Sequence, residues 1–222
     1  MKATVKDVMT APVVTVTRGT TYKDVAAMLR QHRVSAFPVV DSGGTVIGVV
    51  SEADLLAKEA LSGEQAGLIA GLLHREERDK AAGLTAGDLM SRTVVTVGPD
   101  DPVDHAARLM YTLRVKRLPV VGSGGELLGI VSRTDVLAVF DRTDDDIRAD
   151  VIDTMMRHEF LLDPRQFTVT VEDGVVTLEG RPETVALGHA LIRKTEDIPG
   201  VVAVRDRFVD PDTYPGGAGP VF

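Results

Sequence analysis

The stretch Arg33–Leu56, RVSAFPVVDSGGTVIGVVSEADLL, returns at Arg114–Leu137 as RVKRLPVVGSGGELLGIVSRTDVL. An internal repeat of this kind makes each copy one supersecondary unit whose apolar face a neighbour must close. Met9 matches Met90, Pro38 matches Pro119, Gly48 matches Gly129 and Asp54 matches Asp135, all at one constant offset. The match runs from Val5 to Leu56 without a gap.

Within the first copy, Val13–Val16 is a short β-branched stretch that predicts a strand. Tyr22, Val25, Ala26 and Leu29 then recur at helical spacing, and Val103, Ala106, Ala107 and Met110 keep that spacing in the second copy. Val34 and Pro38 bracket the helix exit, since proline disfavours helical backbone at the residue before it. Val39-Val40 and Val46–Val50 read as two strands joined through Ser42-Gly43-Gly44. Asp54–Leu56 begins another helix. Each unit is therefore β-α-β-β-α, and two of them are expected to pack about a pseudo-twofold axis.

Composition narrows the functional classes. The 222 residues carry no cysteine, which removes disulfides, thiolate catalysis and cysteine-bearing metal sites. A formal charge of −8 argues against general attraction to nucleic acid or anionic lipid. The start, MKATVKDVMT, lacks the apolar run of a signal peptide, and no run approaches the roughly 18 apolar residues that span a bilayer. A cytoplasmic location is the expectation.

Gly48-Val49-Val50-Ser51-Glu52-Ala53-Asp54 passes from a strand into a helix's first turn. Ser51 stands where an N-cap belongs and Asp54 three residues on, a variant of the capping box. The same groups suit a nucleotide. A helix start presents N–H groups to phosphate, and a carboxylate one turn in accepts the two hydroxyls of a ribose. The two readings are compatible.

The paired h-P-V-V and G-h-h-S-x-x-D motifs, with h apolar, resemble a tandem of CBS domains, a Bateman module, over roughly residues 1–142. That resemblance implies adenosine-containing ligands, AMP, ADP or ATP with S-adenosylmethionine as a further candidate, in two clefts between the repeats. It implies one site from Met9, Val13, Val14, Val34, Ser35 and Ala36 with Ile130, Ser132, Arg133 and Asp135. There the apolar side chains sandwich adenine, Asp135 holds the ribose and Arg133 faces phosphate. The reciprocal site combines Met90, Val94, Val95, Val115, Lys116 and Arg117 with Val49, Ser51 and Asp54. The first is expected to bind more tightly, because Ser35 and Ala36 are small where Lys116 and Arg117 either obstruct the base or bind phosphate. Glu52 also replaces Arg133 in the second site.

After Phe140 the pattern changes. Asp144-Asp145-Asp146 suits a helix start, with Ile147, Val151 and Met155 on one face. Phe167, Val169 and Val171 alternate, Asp173-Gly174 signals a tight turn, and Val176 and Leu178 alternate again. Pro182 suits the first turn of a second helix bearing Leu187, Ala190 and Leu191. Ile198-Pro199-Gly200 breaks that helix, and Val201–Phe208 gives a last strand. DGVVTLEGRP and IPGVVAVRDRF in this α-β-β-α-β order resemble a BON domain over roughly residues 144–210, a non-catalytic module associated with phospholipid or other surfaces. From Ile147 to Val209 there are eight basic and eleven acidic side chains, so peripheral membrane contact finds no support in charge.

The expected fold class is α+β. It comprises a first repeat at 1–60, a helical connecting segment at 61–85 and a second repeat at 86–142. A BON-like domain at 143–210 and a flexible tail at 211–222 follow. Leu68, Ile69, Leu72 and Leu73 would give the connecting segment a packing face.

His32, His74, His105, His158 and His189 show no metal-ligand spacing, so no metal is assigned. No nucleophile or acid/base pair stands out, so the chain is expected not to be an enzyme and to require no cofactor. The expectation is a regulatory protein that binds an adenine nucleotide, pairs as a homodimer through its repeats and signals to the BON-like module or to a protein partner still to be identified. The alternative is an assembly or membrane-surface adaptor acting through that module without nucleotide. Nucleic acid is not an expected partner.

Overall fold

The computed structural model describes residues 3–61 and 84–209. The apolar face expected at Leu68–Leu73 and the tail from Pro211 lie outside the described residues. Thr4–Arg133 forms one compact unit, and the chain from Thr134 onward forms a second.

In the first unit, the opening repeat runs α1 (Val5–Val8), β1 (Val16–Thr17), α2 (Tyr22–His32), β2 (Ala36–Val40), β3 (Val46–Ser51) and α3 (Glu52–Leu61). The second repeat supplies α4 (Ala86–Leu89), α5 (Val103–Thr112), β4 (Arg117–Val121), β5 (Leu127–Ser132) and α6 (Arg133–Leu137). Strands β2 and β3 pair antiparallel, as do β4 and β5. β1 joins β2 in parallel, and in the second copy a Val97–Val120 bridge takes its place. At the tip of the first hairpin, Gly44 adopts φ +80°, and Asp41 accepts from the N–H groups of Gly43 and Thr45.

Bridges between the copies reveal the axis. Thr4 pairs with Pro102 and Thr85 with Thr21; Thr10 pairs with Ile130 and Ser91 with Val49. Each couple is one contact drawn twice under the repeat. Thr45 pairs with Glu126, its own counterpart, so the pseudo-twofold passes beside that bridge.

The first turns of the two copies are exchanged. Ala86, Leu89 and Met90 of the second copy are buried in a cluster with Val16, Val25, Leu29, Phe37, Val39 and Val50 of the first. Reciprocally, the Val5 N–H donates to Asp101 O at 2.8 Å, and the fully buried Val5 anchors α1. Each arm ends in a methionine seated over a glycine. A Cβ on Gly48 would lie 2.3 Å from Met90 Sδ, and one on Gly129 would lie 2.4 Å from Met9 Sδ.

The arms cross from one copy to the other, so residues 13–15 carry no ladder and only Val16–Thr17 pairs as a strand. The predicted strand over Val13–Val16 is thus shorter than its composition suggests. A chain that leaves one sheet for another cannot keep both sets of backbone partners.

Both exchanged helices begin with a capping box, Thr4 with Asp7 and Thr85 with Asp88. The hydroxyl bonds from Thr4 and Thr85, with backbone N–H bonds behind them, hold both carboxyls below their ordinary value of 3.8. A lowered folded pKa contributes stability that is complete above the unfolded value and lost as pH falls through the folded one. An Asp7→Asn/Asp88→Asn double variant should therefore be less stable than wild type at about pH 6, with the deficit shrinking below about pH 4. Urea melts across that range measure it, and a deficit independent of pH would contradict the assignment.

In the second unit, α7 (Asp144–Ala149) passes directly into a π-helical stretch, Asp150–Glu159. There follow β6 (Phe167–Glu172), β7 (Val175–Gly180), α8 (Val185–Glu196) and β8 (Ala203–Phe208), with sheet order β6-β7-β8. Ile147, Val151, Met155 and Met156 pack with Val169, Val176, Leu178 and Leu191 in one core. Pro182 lies ahead of α8, because the Thr184 hydroxyl accepts from the Leu187 N–H and so sets the helix start.

Asp144 has a specific task in this unit. Its carboxylate accepts from Asp173 N–H at 2.9 Å and Gly174 N–H at 2.8 Å, where φ is +50° and +73°. A charged acceptor thus clamps the two-residue turn of the β6–β7 hairpin. Asp144→Ala should cost about 1–3 kcal/mol, as expected when the part-buried Gly174 donor loses a charged partner. Asp145→Ala should cost far less, and equal losses in thermal melts would refute the clamp.

Candidate nucleotide-binding site

A cavity of about 390 Å³ opens within the first unit, between the start of β2, the β3–α3 turn, the residues after α4 and the start of β4. Sequence reasoning assigned eight of its lining residues to the second site: Val49, Ser51, Asp54, Val94, Val95, Val115, Lys116 and Arg117. Val94 and Val95 belong to the crossing arm of the second copy, which brings them opposite the β3–α3 turn of the first. Ser35 and Ala36, assigned to the first site, also line this cavity.

The turn itself is a helix start. Both the Ser51 N–H and the Ser51 hydroxyl donate to Asp54 Oδ2, at 2.8 and 2.7 Å. The Glu52 N–H donates to Ser35 O at 3.0 Å, and its counterpart Arg133 donates to Lys116 O at 3.1 Å. Capping and binding readings therefore meet in the same atoms: the carboxylate that closes the turn also lines the cavity.

Electrostatics divide the wall. Arg114, Lys116 and Arg117 bring three cations, against the carboxylates of Glu52 and Asp54. Arg114 follows the end of α5 with φ +55°, matching Arg33 at +53° after α2. A non-glycine residue in the left-handed region ends each helix and turns the chain toward the strand. Valines 94, 95, 49 and 115 supply an apolar slot beside the cations. A flat apolar base with an anionic tail fits that pairing of surfaces.

Comparison with known proteins agrees with the architecture. The CBS domain family matches residues 5–60 and 86–142, and the BON domain family matches residues 143–209. This chain is a CBS-domain protein with a C-terminal BON domain. CBSX2 of Arabidopsis thaliana, a chloroplastic CBS domain-containing protein, is 32% identical over 140 residues, which cover 53% of this chain and 54% of CBSX2. The protein MJ1426 of Methanocaldococcus jannaschii is 31% identical over 149 residues, covering 60% of this chain and 88% of the relative. The chain thus spans about half of the plant relative's length and most of the archaeal one's. Among solved structures, CBSX2 in complex with AMP superposes with a TM-score of 0.54 at 34% identity, covering 61% of this chain and 94% of that one. The CBS domain pair of protein MJ0100, in complex with 5′-methylthioadenosine and S-adenosyl-L-methionine, gives 0.52 at 25% identity, covering 64% and 98%.

Within this CBS pair, the residues of the first expected site are placed differently from those of the second. Thr10 and Ile130 exchange N–H···O bonds of 2.9 and 3.1 Å, which sets Met9 against β5. The Arg133 guanidinium donates to Val115 O at 3.1 Å and to Met110 O at 3.5 Å. It thereby braces a wall of the cavity from behind. Asp135 stands in α6, where the chain passes from the first unit to the second. Met90 is buried over Gly48 rather than lining the cavity.

Sequence reasoning did not name Ser91 and Thr93, yet both line the cavity, as does Arg114, which it grouped with Lys116 and Arg117 as a basic cluster suited to phosphate. Ser91 corresponds to Thr10 under the repeat, and it pairs with Val49 as Thr10 pairs with Ile130. Among the described residues no group of three metal-ligating side chains gathers, and no helix is long and apolar enough to cross a membrane.

Proposed function

We propose that the protein is a regulatory binding module, not an enzyme, that takes an adenosine-containing ligand in the cavity of its CBS pair. The cavity carries the reading: an apolar slot formed by Val49, Val94, Val95 and Val115 adjoins Arg114 and Lys116. On this reading the valines enclose adenine, Asp54 receives the ribose hydroxyls, and Arg114 and Lys116 face the phosphates of AMP, ADP or ATP. The complexes of two similar CBS pairs, CBSX2 with AMP and MJ0100 with methylthioadenosine and S-adenosylmethionine, support the ligand class. The reading rests on the Ser51–Asp54 set, which lines this cavity.

Occupancy would be passed to the BON domain, or to a partner, through α6, the covalent junction of the two units. A ligand shifts such an equilibrium only by its differential affinity for the two states. Pairing of two copies through the repeats belongs to the same proposal, and light scattering tests it.

Thermal melts of the full chain with AMP, ATP, S-adenosylmethionine and buffer alone test the ligand. Saturating the native state at a hundred times Kd should add about 2.7 kcal/mol and raise the melting temperature. No shift with any of the three, together with co-sedimentation with phospholipid vesicles, would replace this reading with that of a surface adaptor.

A further inference from the structure

We infer that Arg117 couples the two binding walls of the CBS pair, so that phosphate in the cavity releases the Ser35–Ala36 wall for a second ligand. The inference rests on the nucleotide reading above and adds its regulation. Arg117 lines the cavity, yet its terminal nitrogens are engaged elsewhere. Nη2 donates to Ser35 Oγ at 2.5 Å and Nη1 to Ala36 O at 3.3 Å. Ala36 is the residue that Arg117 itself corresponds to under the repeat. The side chain therefore reaches across the pseudo-twofold and covers the position where the first copy is small. Alanine at position 36 cannot return the contact, so the pair is symmetric in backbone and asymmetric in charge.

Competition follows from guanidinium geometry. A two-pronged grip on phosphate needs two parallel N–H groups, and the terminal pair here is bonded to Ser35 and Ala36. Phosphate brought in by Arg114 and Lys116 offers a stronger, charged acceptor at short range. Turning Arg117 toward it uncovers Ser35 and Ala36. Ser35 is also tied to the cavity's helix start, since its carbonyl accepts the Glu52 N–H. The same residue thus touches both the ligand-bearing turn and the covering arginine.

Isothermal titration of the full chain with AMP, and separately with ATP, compares wild type, Arg117→Met and Ser35→Ala. Wild type should take up a first ligand and then a second at the uncovered wall. Arg117→Met should loosen the first step and tighten the second, each by about fivefold or more, the lower range of coupling between sites. Ser35→Ala keeps the cation and removes the Ser35 hydroxyl as its acceptor, so it should tighten the second step and loosen the first less than Arg117→Met does. A wild type that takes up one ligand while Arg117→Met takes up two supports the same coupling in a stronger form. A second step that neither variant moves, that both weaken, or that no protein shows would overturn the coupling and leave the nucleotide reading intact. Failure of wild type to take up AMP or ATP at all would overturn both. Should Arg117→Met not fold by circular dichroism, Ser35→Ala alone decides, because it leaves the charge balance untouched.

Discussion

Replacing Arg114 and Lys116 together by glutamate is expected to weaken AMP and ATP binding by about a hundredfold or more. The substitution exchanges two cations for two anions on the wall that already carries Glu52 and Asp54. Like charges brought together at a binding surface cost several kcal/mol, and about 3 kcal/mol corresponds to a hundredfold. The loss should be smaller for adenosine, which has no phosphate to repel. Titration with all three compounds separates the contributions. If adenosine and ATP weaken alike, the substitution has damaged the pocket's shape, and the phosphate assignment falls. A change within about threefold for ATP would remove the cations from the site altogether.

The second large effect concerns stability. Gly48→Ala and Gly129→Ala should each destabilise the CBS pair by about 1–3 kcal/mol, the usual cost of overfilling a packed interior. The added methyl at Gly48 would meet Met90 Cγ at 2.8 Å and Cβ at 3.0 Å as well as the sulfur, so rotating the thioether away does not relieve it. The diagnostic result lies in the pairing. A cycle of Gly48→Ala with Met90→Ala should show strong non-additivity, because the second change opens room for the first. Gly48→Ala with Met9→Ala should be nearly additive, because Met9 belongs to the other seat. Urea denaturation of the four single and two double variants measures both. Equal coupling in the two cycles would contradict the exchange of arms.

Much of this architecture was legible in the chain. The two-residue period of Phe167, Val169 and Val171, the Asp-Gly turn and the helical spacing of Val25 and Leu29 all reflect local backbone preferences that tertiary packing reinforces. The Ser-x-x-Asp turn was readable because a helix start needs donors and acceptors at fixed places. Harder to read was anything set by the passage between the copies. Val13–Val16 has strand composition, but its partners lie in two sheets, and composition carries no information on where a chain changes sheets. Asp144 looked like one of three equivalent acids, and only the arrival of the Asp173-Gly174 turn singles it out.

Eight of the nine residues expected at the second site line the cavity, and the expected ranking of the two sites rested on side-chain size. From the chain alone, Lys116 and Arg117 either obstruct the base or bind phosphate. In the fold Arg117 extends away to Ser35 and Ala36, and the bulk of the side chain falls on the opposite copy. A residue's volume says how much space it needs, whereas a long flexible side chain has several places to put it. Arg133 shows the same effect in reverse, since it turns back to Val115 and Met110.

The exchanged arms also bear on how such a duplication can change over time. Met90 is judged by the glycine of the other copy, and Met9 likewise, so a substitution in one half is tolerated or rejected according to the half it does not belong to. The copies are free to drift in their exposed helices and cavity walls, as Ser35-Ala36 and Lys116-Arg117 have done. At the crossing points they are bound to each other's history. Losing either copy would leave its sibling with an unfilled seat and an arm with nowhere to lie.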